Sequence, residues 1–343
     1  MDANLNDISL HFVGNKTLDH NLILSEDLLT IGDELADIIT TSFFDRFANS
    51  HEEYSFSHTS SLEFNEVYNF AKGIFEDQGD LQNFSKKIAQ ELYQQTNHPN
   101  IKDGELYVGY FSNALCDGAY VDAIGIFKTE LKNDFLEVQS EHGVFDVFHK
   151  QGVDLKKIEK GCVIYNTKPE QGYAVRIFDN QNRGTDAQYW TIDFLGLAPI
   201  ANEYQQTNEF LGMTKEFISK QIENEFEVSK TEKIDLLNKS VEYFKANDEF
   251  SKEEFEQEVF GDEEVIESFR GFDDSYRETH EITMEDNFEI DNHAVKKQAR
   301  MFKKILKLDK NFHIYIHGDP NKIEKGVEAD GRKFYKVYFD EEI

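Results

Sequence analysis

Cysteine is nearly absent: Cys116 and Cys162 are the only two in 343 residues, too few for a disulfide framework or a four-thiolate zinc site. A reducing cytoplasm is the expected home, and both thiols should be reduced, dispensable small hydrophobes. Proline is scarce too, at four residues, which excludes Pro-rich linkers and leaves helices or short turns to join domains. No stretch approaches the ~18 consecutive apolar residues of a membrane span, and the opening MDANLNDISLHF has neither the basic start nor the apolar run of an export signal. Export and membrane binding are not expected. Basic charge is in deficit as well, with 36 Lys and Arg against 67 Asp and Glu and a net charge of −31. Phosphate repels such a chain, so nucleic acid must be met through a locally basic face.

The usual catalytic signatures are also missing. There is no Gly-x-x-x-x-Gly-Lys-Ser/Thr loop, no Gly-x-Gly-x-x-Gly, no Gly-x-Ser-x-Gly elbow and no helical His-Glu-x-x-His. The loop from Asp179 to Gly184 lacks the spacing and terminal Glu of a calcium loop and reads as a hairpin connection. His313 and His317 share one face of a strand, but four strand residues span about 13 Å, too far to hold one metal ion. No cofactor is expected. The carboxylates Asp117, Asp122 and Glu130 leave a metal-dependent nuclease as a minor alternative.

What is present is a globular chain with Phe-rich cores: 39% hydrophobic and 13% aromatic, with thirty Phe and fifteen Tyr. Its length suits two domains, and the pattern changes character near residue 200. Before that point helical spacing appears at residues 33–47, where Leu35, Ile38, Ile39 and Phe43 recur, and again at 64–75 and 81–93. Six β-like runs follow at 105–111, 120–127, 135–138, 144–148, 162–165 and 173–178, the first two separated by Cys116-Asp-Gly118. No helical crossovers of 10–15 residues separate these runs, so the sheet they predict is antiparallel. After residue 200 the expectation is helical, at 209–226, 234–244, a helix opened by a capping box at Ser251 and Glu254, and 295–308. Two strands, 312–317 and 334–339, close the chain. The fold class is therefore α+β: a mixed domain over 1–200 with a largely antiparallel sheet, then a mainly helical domain over 201–343 ending in a short β-hairpin.

Charge is distributed unevenly over this plan. Residues 241–290 carry eighteen acids against four bases, a net of −14, and the next segment reverses sign. Lys296, Lys297, Arg300, Lys303, Lys304, Lys307 and Lys310 face a single acid, Asp309. Wound as a helix, 295–308 places Val295, Ala299, Phe302, Ile305 and Leu306 on one arc and the bases on the other, with Lys296, Arg300, Lys303 and Lys307 in a row suited to a phosphate backbone. The plain alternative is a solvated face that offsets the acidic segment before it.

Four stretches carry a resemblance to a known family. They are Ile8-Ser-Leu-His-Phe12 with Leu24-Ser-Glu-Asp-Leu28, Ala123-Ile-Gly-Ile-Phe-Lys-Thr-Glu130, Tyr189-Trp-Thr-Ile-Asp-Phe-Leu195, and Leu308-Asp-Lys-Asn-Phe-His-Ile-Tyr-Ile-His-Gly318. In their order and span the chain resembles the bacterial nucleoid-associated proteins typified by YejK, also called NdpA. The resemblance implies a non-enzymatic protein of the nucleoid. The expected partner is double-stranded DNA, with RNA as a second polyanion and basic DNA-handling proteins as the alternative, in which case the acidic surface acts as adaptor or DNA mimic. A homodimer is left open.

Overall fold

The computed structural model describes residues 3–47, 52–179, 188–280, 282–301, 305–308, 312–315, 322–339 and 341. The chain forms two compact units, 1–200 and 201–343, of an α+β protein.

Among the described residues nine strands belong to the first unit: β1 (Asn4–Val13), β2 (Tyr54–Phe56), β3 (Gly104–Cys116), β4 (Ala119–Thr129), β5 (Lys132–Glu141), β6 (Val144–Val153), β7 (Lys160–Tyr165), β8 (Ala174–Asp179) and β9 (Leu197–Pro199). Seven of them make one sheet in the order β1-β3-β4-β7-β8-β2-β9. Every neighbouring pair is antiparallel. The β3–β4 hairpin closes on Asp117 and Gly118, both in the left-handed region (φ 48° and 79°), the two-residue turn whose twist matches that of paired strands.

Alternation along these strands feeds two apolar layers. Val108, Ile124, Ile126 and Cys162 face a cluster that includes Ala71 and Ile74 of α2 (Glu66–Glu76) and Ile88 and Leu92 of α3 (Leu81–Gln94). Phe111, Ala123, Phe127 and Val163 face the opposite way, toward α1 (Asp33–Phe44), where Phe43 stacks on Phe127 with ring centroids 3.8 Å apart. Of the expected α1 stripe, Ile39 and Phe43 are buried, whereas Leu35 and Ile38 stay about half exposed. Cys116 and Cys162 are free thiols in these two different layers.

One expectation for the sheet is corrected. Runs 135–138 and 144–148 do not extend it; they lie in β5 and β6, a separate two-stranded hairpin. Their strand character is real, but the residues on both faces of this arm remain exposed or half-exposed. Strand propensity set the conformation without supplying a core to cover it.

In the second unit α4 (Glu203–Glu216) runs through a π-helical turn, Phe217–Gln221, into α5 (Ile222–Glu225). Next come α6 (Lys230–Ala246), β10 (Glu249–Ser251), α7 (Lys252–Val259), α8 (Glu263–His280), β11 (Asn287–Glu289) and α9 (Asn292–Met301). Phe210 sits at the centre of the core, with ring centroids 4.3 Å from Phe250 and 5.0 Å from Phe255. The capping box expected at Ser251 does not form, because Ser251 is engaged in β10 opposite Asn287 of β11 and its side chain makes no cap bond. A reciprocal capping box forms instead at Ser229 and Glu232, opening α6.

Two further expectations are corrected at the end of the chain. The helix expected over 295–308 stops at Met301, and Ile305–Leu308 is a strand, β12, paired with β13 (Phe312–Tyr315). Helix periodicity there was a weak preference that strand pairing overrode. The strand expected at 312–317 therefore pairs with β12 and not with the terminal strand. The terminal hairpin joins β14 (Ile323–Val327) to β15 (Lys333–Val337).

Candidate functional site

The basic segment begins on α9, whose start is fixed by its own sequence. Asp291 Oδ1 accepts the backbone N–H groups of His293 and Ala294, both at 2.8 Å, and the Asp291 N–H donates to Thr207 Oγ1 of α4 at 3.1 Å. Ala294, Val295 and Gln298 are buried, and the Gln298 amide donates to Asn208 Oδ1 at 2.8 Å. That anchorage turns Lys296, Lys297 and Arg300 outward, and all three are exposed. The Lys297 ammonium lies 5.7 Å from the centroid of the Tyr204 ring. Arg300 stands in the last turn, where a cation also complements the partial negative charge of the helix end.

Lys307 does not extend this row along the same helix. Lys307 belongs to β12, and Lys303, Lys304 and Lys310 lie outside the described residues, as does His317. His313 belongs to β13.

The acidic segment before α9 splits into two populations. Glu256 and Asp273 are buried, Glu256 bonded to Arg270 at 2.5 Å and Asp273 to Lys252 and Arg277, each at 2.6 Å. Of the seventeen acids among the described residues, the other fifteen are exposed. Three of the four local bases thus hold buried carboxylates, and the outer surface keeps its negative charge almost undiluted.

The carboxylates weighed for metal chemistry go to separate partners. Asp122 accepts the Tyr110 hydroxyl at 2.9 Å, Asp117 meets Arg176 at 3.3 Å, and Glu130 is nearly buried against Lys128 at 2.9 Å. Among the described residues no group of three or more His, Cys, Asp or Glu side chains is placed to hold a metal ion.

Glu130 belongs instead to an ionic cluster that the sequence reading missed. Lys128 is fully buried, and its ammonium lies 3.5 Å from the Tyr189 hydroxyl. Glu159 Oε2 accepts the Glu130 N–H at 2.8 Å, and Lys160 bonds both oxygens of Asp179 at 2.8 and 2.9 Å. The Tyr189 ring sits 5.9 Å from one ammonium and 5.4 Å from the other. Burial pushes the Lys128 ammonium pKa down, against the pull of Glu130, and pushes the Glu159 carboxyl up. Strand parity held the signal: Lys128 falls two residues after Ile126 and four after Ile124, on the face that must be buried. The cluster ties β4, β7 and β8 to the turn at Tyr189 by closed pairs.

No curated protein matches the chain. A sequence model of the family described as nucleoid-associated protein YejK matches residues 9–332, nearly the whole length. The chain therefore belongs to the nucleoid-associated protein YejK family, and a nucleoid-associated role is what that membership carries.

Proposed function

We propose that the protein binds nucleic acid directly and without sequence preference, that duplex DNA is its principal ligand, and that segment 296–310 is the contact. The reading is non-enzymatic. The observation that carries it is the outward row on α9, where Lys296 and Arg300 stand one turn apart, about 6 Å along the axis, while the opposite side of the helix is anchored in the core. Charges held at that spacing can meet successive phosphates without disturbing the fold. A gel-shift series on pure protein with duplex DNA, single-stranded DNA and RNA tests this. Binding is expected near the ~10⁻⁴–10⁻⁶ M of non-specific contacts. The fourfold change of Lys296, Arg300, Lys303 and Lys307 to Glu should abolish it, and unchanged binding would move the contact elsewhere.

A second reading has its own support. Because three of the four bases of 241–290 are bound to buried acids, the fifteen exposed carboxylates form a surface suited to the basic DNA-grasping face of another protein. In that case pure protein leaves DNA unshifted, and a basic DNA-handling protein is retained on it in a salt-sensitive manner.

A further inference from the structure

The β5–β6 arm is the largest feature of the first unit that neither reading uses. Its turn, His142-Gly143, has both residues in the left-handed region (φ 49° and 83°), so Glu141 and Val144 form the closing pair. In such a hairpin the residues paired by hydrogen bonds alternate with those that are not. Val144, Asp146, Phe148 and Lys150 then direct their backbone groups inward to β5, and Phe145, Val147, His149 and Gln151 direct theirs outward. No third strand joins this sheet among the described residues. Phe145, Val147 and Phe148 are exposed along that outer edge at 70, 59 and 45%. A long, apolar, unpaired edge is a template for another strand.

We infer that the strand it receives is β6 of a second copy of this chain, antiparallel and centred on Phe148, so that two arms join into one four-stranded sheet. Charge complementarity selects both the partner and the register. With Phe148 opposite Phe148, Asp146 of each copy lies opposite Lys150 of the other, twice over, on the same face. Shifting the centre to residue 147 or 149 removes both matches. Asp146 has no partner among the described residues, whereas Lys150 is paired within its own arm to Glu137 and can accept a second carboxylate. The outer edge of β5 offers no comparable solution: its one like-parity match, Lys132 with Asp134, centres on Asn133, one residue from the start of the strand, and leaves nearly all of β5 unpaired. The β6 register also sets the outward groups of Val147 against those of His149, and of Phe145 against those of Gln151, giving roughly eight backbone hydrogen bonds across the seam.

The experiment uses the full chain in sedimentation equilibrium. Wild type should dimerise reversibly. Asp146→Lys and Lys150→Asp should each weaken self-association by about tenfold or more, since each places like charges opposite one another twice. Mixing the two variants should restore a dimer, because every facing pair is then opposite in sign. A Phe148→Cys variant should oxidise to a covalent dimer, its two residues being the directly opposed, non-hydrogen-bonded pair with Cα atoms about 4.5 Å apart, and Phe145→Cys should not. A monomer at all concentrations overturns the inference. So does a dimer that both charge variants leave intact and Phe148→Cys fails to trap.

Discussion

His11 shows how one side chain makes stability depend on pH. Its Nδ1 accepts the Ser25 N–H at 3.1 Å, so the ring proton sits on Nε2, which lies 3.0 Å from Ser9 Oγ and 2.9 Å from Ser85 Oγ. The neutral ring thereby satisfies both nitrogens, and protonation breaks the bond from Ser25. Burial first, and the nearby Lys86 charge second, lower the pKa from 6.5 to about 4. The folded value lies below the unfolded one, so this contribution is complete above about pH 6.5 and is lost as pH falls toward 4. Urea midpoints of wild type should decline between pH 6.5 and 5 more steeply than those of His11→Gln. Parallel curves would remove His11 as the cause. The sequence showed a lone histidine in an apolar strand; its three serine neighbours come from β1, α3 and the loop after β1, and only folding gathers them.

At the scale of elements, two serines that look alike in sequence separate in the structure. Ser229 and Glu232 make both bonds of a capping box, whereas Ser251 makes no side-chain cap bond. Ser229→Ala should therefore cost about 1 kcal/mol and Ser251→Ala less, as read from chemical denaturation. Equal losses would mean that the Ser251 box forms in solution. The cluster around Tyr189 gives a larger contrast. Lys128→Met leaves the Glu130 charge buried without its partner and should cost about 3–5 kcal/mol, while the double change Lys128→Met with Glu130→Leu should recover much of that loss. Equal losses in the single and double variants would place the stabilisation in packing and not in charge pairing. The helix α9 adds a reason why sequence reading overshot: its apolar spacing continues past Met301, but Ile305–Leu308 finds a strand partner in β13.

For the whole molecule, a charge of −31 sets the background against which any contact with DNA operates. Affinity should fall with salt by roughly 0.9 in log K per log unit for each phosphate neutralised. Contact through Lys296, Lys297 and Arg300 alone implies a slope of about 3, and engagement of all seven candidate bases implies about 6. Titrations over a range of salt separate these values, and a slope near zero would rule out a phosphate contact. The exposed acids of 241–290 should also steepen the loss of binding at low salt when the basic face is reversed, since long-range repulsion is then no longer offset.

The sequence by itself determined composition, charge segregation, the antiparallel character of the main sheet and the family, because alternation, turn residues such as Asp117-Gly118 and the order of segments along the chain are local or linear properties. Tertiary structure decided which strands share a sheet, since β5 and β6 pair as regularly as β3 and β4 do but meet no covering layer. It likewise decided which charges remain on the surface. Glu256, Asp273 and Lys128 read as ordinary charged residues until packing removes water from them, and burial depends on neighbours that are distant in sequence.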